Sequence, residues 1–194
     1  RDEIGKKSVI TKIEKKLGYP CFIKPANAGS SVGITKAHNQ EELVNGLKLA
    51  AEHDRKILVE EFIDGREVEC AVLGTAEKAE ASTIGEVLSA AEFYDYDAKY
   101  NNAESKTVIP AEIDEEIING VRKVALKVFK AVDGSGLARI DFFVENGTNR
   151  IVFNELNTLP GFTAISMYPK LWECAGKSIE ELIDELISLA CCGK

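Results

Sequence analysis

Apolar residues recur at helical spacing in four stretches of the chain and alternate or run together as strands in seven others. Residues 7–17 (KSVITKIEKKL) read as a helix closed by Gly18. A short apolar strand follows at 20–25 (PCFIKP), then a small-residue loop at 26–33 (ANAGSSVG) and a strand at 34–36. Asn39 with Glu42 three residues later has the form of a capping box, opening a helix through Leu43, Leu47 and Ala50. Strands are expected at 56–63 (KILVEEFI), 67–73 (EVECAVL) and 81–87, with Asp64-Gly65 as a turn. Residues 92–107 read as a long surface loop. A helix at 113–132 carries Ile117, Val121, Val124, Val128 and Phe129 on one side. Two further strands, 136–144 and 150–157, form a hairpin around the five residues ENGTN at 145–149. A loop at 158–168 leads to a last helix near 178–190, where Ser178 and Glu181 make a second capping box. Helices mixed with antiparallel hairpins predict an α+β fold and not a doubly wound parallel sheet.

Composition adds limits. Charged residues make up 29% of the 194, hydrophobic ones 45%, as in ordinary globular proteins, and the net charge is −8. That acidity argues against general nucleic-acid or anionic-membrane binding, while leaving room for a local basic pocket. No apolar run reaches the ~20 residues that span a bilayer, and the charged start has no signal-peptide character. The chain opens with Arg inside a predicted helix and reads as a piece of a longer protein. Five cysteines match no zinc pattern; Cys21 and Cys70, in apolar strands, are expected as buried free thiols, which suits a cytoplasmic location.

The hairpin carries the sharpest chemistry. Arg139 and Asp141 share one strand face, and Glu155 and Asn157 share one face of the partner. A five-residue loop would set 139 opposite 155 and 141 opposite 153. Two carboxylates and an amide oxygen suit magnesium, and the permanent charge of Arg139 suits an anion. The same face reads equally well as a solvated surface with an Arg–carboxylate pair. The loop ANAGSSVG behind Lys24 offers backbone N–H groups and the Ser30 and Ser31 hydroxyls to phosphate, although it is no Walker A loop and its composition also suits a plain surface turn. Glu60-Glu61-Phe62-Ile63, ahead of Glu67, reads as a nucleotide-binding strand edge or an ordinary acidic hairpin. The tyrosine-rich segment 93–100 reads as an active-site lid or a surface loop.

The motifs FIKPANAGSSVGI, LVEEFIDGREVECAVL, EFYDYDAKY, GLARIDFF and NELNTLPGFTAISMYP, in this order from about Gly18 to Ala190, resemble the D-alanine–D-alanine ligases of the ATP-grasp fold. The resemblance implies a small ATP-grasp subdomain over 1–68, incomplete at its start, and a catalytic subdomain over 69–194. It implies that Lys24, Ser31, Glu60, Glu61, Phe62, Ile63, Glu67 and Lys99 bind ATP. Arg139, Ser30, Tyr100 and Gly161 would belong to the catalytic set, and Ser166 and Met167 to the surroundings of the second amino acid. Asp141, Glu155 and Asn157 would hold magnesium, two ions in all, with manganese as a substitute. The implied reaction joins two D-amino acids through an acyl phosphate for cell-wall precursor synthesis, in a protein that is a homodimer at full length. Met167 and the segments NELNTLPGF and GLARIDFF are closer to glycopeptide-resistance ligases, so D-serine competes with D-alanine as second substrate. Another ATP-grasp carboxylate–amine ligase, and a nucleotide-binding fragment without turnover, stay open as alternatives.

Overall fold

The structure is a computed structural model that describes residues 4–27, 32–88 and 106–192. Among these residues the chain forms two compact units, 4–63 on one side of the division and 64–88 with 106–192 on the other.

The first unit contains α1 (Lys7–Leu17), β1 (Cys21–Pro25), β2 (Thr35–Ala37), α2 (Gln40–His53) and β3 (Ile57–Glu61). Its antiparallel sheet has the order β2-β1-β3. Gly18, at φ 70°, ends α1 with its N–H on the Glu14 carbonyl, as the sequence predicts. The Asn39 side chain accepts from the Glu42 N–H at 3.0 Å and starts α2. Leu43, Leu47 and Ala50 lie buried along α2 and meet Cys21, Ile23 and Ala37 of the sheet in one core. Gly46 lets the helix close on that sheet, because a Cβ there would lie 2.3 Å from Thr35 Oγ1. Among the described residues of this unit the helices pack on one sheet face; Phe22 and Lys24 alternate with the buried Cys21 and Ile23 and project from the other.

The second unit holds β4 (Gly65–Thr75), β5 (Ala79–Leu88), β6 (Lys106–Val108), α3 (Glu115–Ala131), β7 (Ser135–Glu145), β8 (Ile151–Asn157), α4 (Met167–Cys174) and α5 (Ile179–Cys192). Its sheet is wholly antiparallel, in the order β6-β5-β4-β7-β8. Residues 65–68 pair along β4 with β7 and so fold with this unit. Even-numbered residues of the central strands (Val68, Cys70, Val72, Ala138, Ile140, Phe142, Val144) pack against Val121, Ala125 and Phe129 of α3. Odd-numbered Ala71, Leu73 and Leu137 pack on the opposite face against Met167, Tyr168, Leu171 and Trp172 of α4 and Leu182 of α5. Tyr168 brings its hydroxyl into that core satisfied, donating to the Val72 carbonyl at 3.0 Å. Gly85 leaves room for the same layer, since a Cβ there would stand 2.8 Å from Met167 Sδ.

Three sequence expectations change. Helix α4 falls where a loop and an unassigned stretch were expected. Strand β6 starts at the last two residues of the segment 92–107, expected to be all loop, and runs one residue past it. The hairpin pairs Arg139 with Asn157 and Asp141 with Glu155, not with 155 and 153. The register differs for two reasons. Glu145 N–H bonds the Arg150 carbonyl at 3.0 Å, so the loop has four residues, 146–149. The pairing then shifts between Asp141 and Phe142, where β8 carries Asn154 as an extra residue. By contrast, Ser178 and Glu181 form the predicted capping box, with reciprocal bonds of 2.8 and 3.2 Å. Cys21 and Cys70 are buried free thiols as expected.

Candidate active site

On the odd-numbered face of the second sheet, the apolar layer under α4 and α5 gives way to charge. Beyond Leu73 and Ala71 the face continues along β4 as Glu69 and Glu67, and beyond Leu137 along β7 as Arg139 and Asp141. The bulge in β8 decides what joins them. Phe153 lies opposite Phe142 on the α3 face, and their rings meet edge to face at 6.1 Å. Were Asn154 paired opposite Asp141 in a regular ladder, Glu155 and Asn157 would follow Phe153 onto that face. Asn154 reverses the alternation, so Leu156 rejoins the apolar core together with Ile151, and Glu155 and Asn157 turn toward Asp141.

The resulting cluster is tightly bonded. Arg139 donates from Nε to Asp141 Oδ1 and from Nη2 to Asp141 Oδ2, both at 2.8 Å, in a two-pronged pair. Asn157 Nδ2 donates to Asp141 Oδ2 at 3.0 Å and to Glu155 Oε1 at 3.1 Å. Glu69, directly across from Asp141, places Oε2 3.0 Å from Arg139 Nε. That separation is an ion pair without a hydrogen bond: the single Nε hydrogen is directed at Asp141, and Glu69 Oε2 is buried with no hydrogen-bond partner. Asp141 and Glu69 are 2% and 7% exposed.

Three carboxylates thus surround one guanidinium. Burial raises the Glu69 carboxyl above its ordinary range, and the negative charge of Asp141 adds to it, with Arg139 opposing. Asp141 also rises through burial, against the pull of Arg139. Burial works against the Arg139 cation, but Asp141, Glu69 and Glu155 outweigh it and hold the guanidinium charged. The surplus of negative charge favours a cation. The Asn157 amide hydrogens already lie between the Asp141 and Glu155 oxygens, where a positive centre is best received. Turning that amide over would present its oxygen to the same place and complete a set of hard oxygen donors that fits magnesium. Among the described residues no three His, Cys, Asp or Glu side chains form a metal-binding group, so such a set needs the amide oxygen as its third member.

Glu69 is the residue that the sequence reading passes over. Its signal is present in EVEC, where alternation puts Glu67 and Glu69 on one face, but the reading treats 67–73 as half-buried strand and singles out only Glu67. The remaining expected residues are distributed as follows. In the first unit, Lys24 Nζ and Glu60 Oε2 form an ion pair at 2.7 Å on the sheet face away from α2. Phe62 lies there as well, 6.1 Å from the Phe22 ring, with Lys36 Nζ 4.1 Å above it. Glu61 ends β3, and Ile63 closes the unit. In the second unit, Gly161 approaches Ser166, where a Cβ would come within 2.8 Å of Oγ. Ser166 accepts from the Thr163 N–H at 3.0 Å and does not cap α4, while Met167 is buried against the sheet. Ser30, Ser31, Lys99 and Tyr100 lie outside the described residues. A cavity of about 970 Å³ between β5, α3 and α4 is lined by other residues, among them Arg122, Lys123 and Lys127.

The helix-backed antiparallel sheets make this an α+β protein, and its likeness to solved ligases of the D-alanine–D-alanine kind makes the fold ATP-grasp. Residues 1–188 match the family described as D-ala D-ala ligase C-terminus, and the chain belongs to the D-alanine–D-alanine ligase family. It is 58% identical over 182 residues to the D-alanine–D-alanine ligase of Acetivibrio thermocellus, covering 94% of this chain and 48% of that protein. Identity to the enzyme of Clostridium acetobutylicum is 56% over 186 residues, 96% of this chain and 54% of the other. Among solved structures, the VanG D-Ala:D-Ser ligase from Enterococcus faecalis superimposes with a TM-score of 0.87 at 41% identity, over 97% of this chain and 54% of that one. The D-alanine–D-alanine ligase from Coxiella burnetii gives 0.82 at 35%, over 95% and 48%. The chain spans about half the length of the curated relatives it matches. No helix among the described residues is long and apolar enough to cross a membrane.

Proposed function

We propose that the protein carrying this chain is an ATP-dependent ligase that joins two D-amino acids, for synthesis of a peptidoglycan precursor in the cytoplasm. The observation that carries the reading is the convergence of Arg139, Asp141, Glu155 and Asn157 on one face of β7 and β8, in a chain of this family. The carboxylate of the first amino acid attacks the γ-phosphate of ATP, giving an acyl phosphate and ADP. The amine of the second then attacks the carbonyl carbon, and phosphate leaves. Asp141, Glu155 and Asn157 would hold two magnesium ions, with manganese as a substitute, and ions held there would supply positive charge to offset that of the γ-phosphate. Arg139 stabilises the negative charge on the transferred phosphoryl group. Lys24, Ser31 and Lys99 would contact phosphate, Glu60 to Ile63 the adenine, and Glu67 the ribose. Ser30, Tyr100 and Gly161 complete the catalytic set, and Ser166 and Met167 border the second amino acid. The intact protein is proposed as a homodimer without a nucleic-acid or membrane partner.

D-Alanine is the proposed second substrate, supported by relatives at 55–58% identity named D-alanine–D-alanine ligase. D-Serine is the second reading, favoured by the likeness to VanG. ADP release by the intact protein, with magnesium and D-alanine alone and then with D-serine added, tests both. Turnover with D-alanine alone supports the first reading, and D-serine in the dipeptide supports the second. No ADP release with either overturns the proposal. Asp141→Asn is expected to lower turnover by at least about 100-fold and to raise the magnesium requirement.

A further inference from the structure

We propose that Glu69 is a positioning residue whose Oε2 takes over the Arg139 Nε–H when Asp141 turns an oxygen to a divalent cation. The inference rests on the ligase reading above. Both Asp141 oxygens are committed to the guanidinium, and Oδ2 also accepts from Asn157. Asp141 thus accepts three bonds at about four lone-pair sites, and turning Oδ1 to a cation draws it off the line of the Nε–H. The Nε–H set free would then sit beside the buried Glu69 and Asp141, away from water that could receive it.

Glu69 supplies what is needed. Its Oε2 is buried, has no hydrogen-bond partner, and stands 3.0 Å from that same Nε. The exchange therefore needs a tilt of the guanidinium plane that turns the Nε–H from Asp141 to Glu69, with little travel of Nε itself. Glu69 is also fixed in place, because β4 is paired on both sides at this position, with Gly85 and with Asp141. Arg139 would keep its position while Asp141 changes partner, so the charge that faces the phosphoryl group stays put as the metal arrives.

The test is Mn²⁺ binding to the intact protein in the presence of ADP, followed by the electron paramagnetic resonance of free Mn²⁺, with thermal unfolding recorded alongside. Glu69→Ala, which removes the acceptor, is expected to weaken Mn²⁺ binding about tenfold without changing metal-free ADP affinity. Glu69→Gln keeps an oxygen acceptor and loses only the charge, and is expected to stay within about threefold of the wild type. Equal losses in the two variants would assign the effect to charge alone and overturn the proposal. Wild-type Mn²⁺ affinity in Glu69→Ala, with or without a lowered melting temperature, also overturns it. Should Glu69→Ala not fold, a tenfold loss in Glu69→Gln overturns the proposal and near-wild-type binding supports it. Wild-type protein that shows no Mn²⁺-dependent ADP binding overturns the ligase reading itself, and this inference with it.

Discussion

Lysine in place of Arg139 would keep the charge and lose the fork. The guanidinium reaches both Asp141 oxygens at 2.8 Å and still stands 3.0 Å from Glu69, a geometry that needs a planar group with diverging donors. An ammonium is a point charge: it can satisfy one of the Asp141 oxygens and leaves the other short of a donor in a largely dehydrated site. Arg139→Lys is therefore expected to cut ADP release by the intact protein on the order of 100-fold, the scale of losing one oriented charge at a developing anion. It should also lower the melting temperature, since a buried carboxylate loses part of its pairing. Steady-state ADP release and thermal unfolding of the same preparation check this. Turnover near the wild-type level would mean that charge alone, without the fork, is what the site requires.

At the scale of the element, the bulging of Asn154 out of the β7–β8 ladder sets which face Glu155 and Asn157 occupy. Deleting Asn154 would remove the bulge and leave Glu155 opposite Asp141, Leu156 opposite Ile140 and Asn157 opposite Arg139, now in regular alternation after Phe153. The expected result is that the intact protein keeps its Mn²⁺-dependent ADP binding, because the pairing that aims Glu155 and Asn157 is unchanged. If metal-dependent binding is lost on deletion, the local bend that the bulge gives β8, and not the pairing alone, is what aims these side chains. The bulge also explains what could be read in advance. Grouping Arg139 with Asp141 and Glu155 with Asn157 needs only strand alternation, so the composition of the site was legible in the sequence. Its register was not, because loop length and an inserted residue are settled by long-range packing of Ile151 and Leu156 on the same core. Helix α4 escaped for a different reason. Its buried residues Met167, Tyr168, Leu171 and Trp172 keep helical spacing, but over only eight residues and with Pro169 in the first turn, where proline is tolerated yet reads as a break. Glu69 was legible as a face and not as a site, since nothing in the sequence announces that a strand glutamate is 7% exposed.

Across the whole molecule, the described residues are held by separate apolar cores, one in the first unit and two on opposite faces of the second unit's sheet. Leu43, fully buried between α2 and the sheet of β1, β2 and β3, contributes only to the first of these. Leu43→Ala leaves a cavity in that core and is expected to cost about 2–5 kcal/mol. Because the sheet of β4 to β8 draws its apolar support from α3, α4 and α5, the cost should fall unevenly. Amide hydrogen exchange of the intact protein is the measurement: protection should drop in α2 and in β1 to β3, while the central amides of β4 and β7 stay near wild-type protection. Ile140→Ala, in the core beneath α3, is expected to give the reverse pattern. Equal loss of protection in both sheets from either substitution would show that the two units unfold as one cooperative body, whatever the separation of their cores. With protection retained in the second sheet, Leu43→Ala should also leave the Arg139–Asp141–Glu155–Asn157 cluster assembled, because every residue that shapes it lies on β4, β7 or β8.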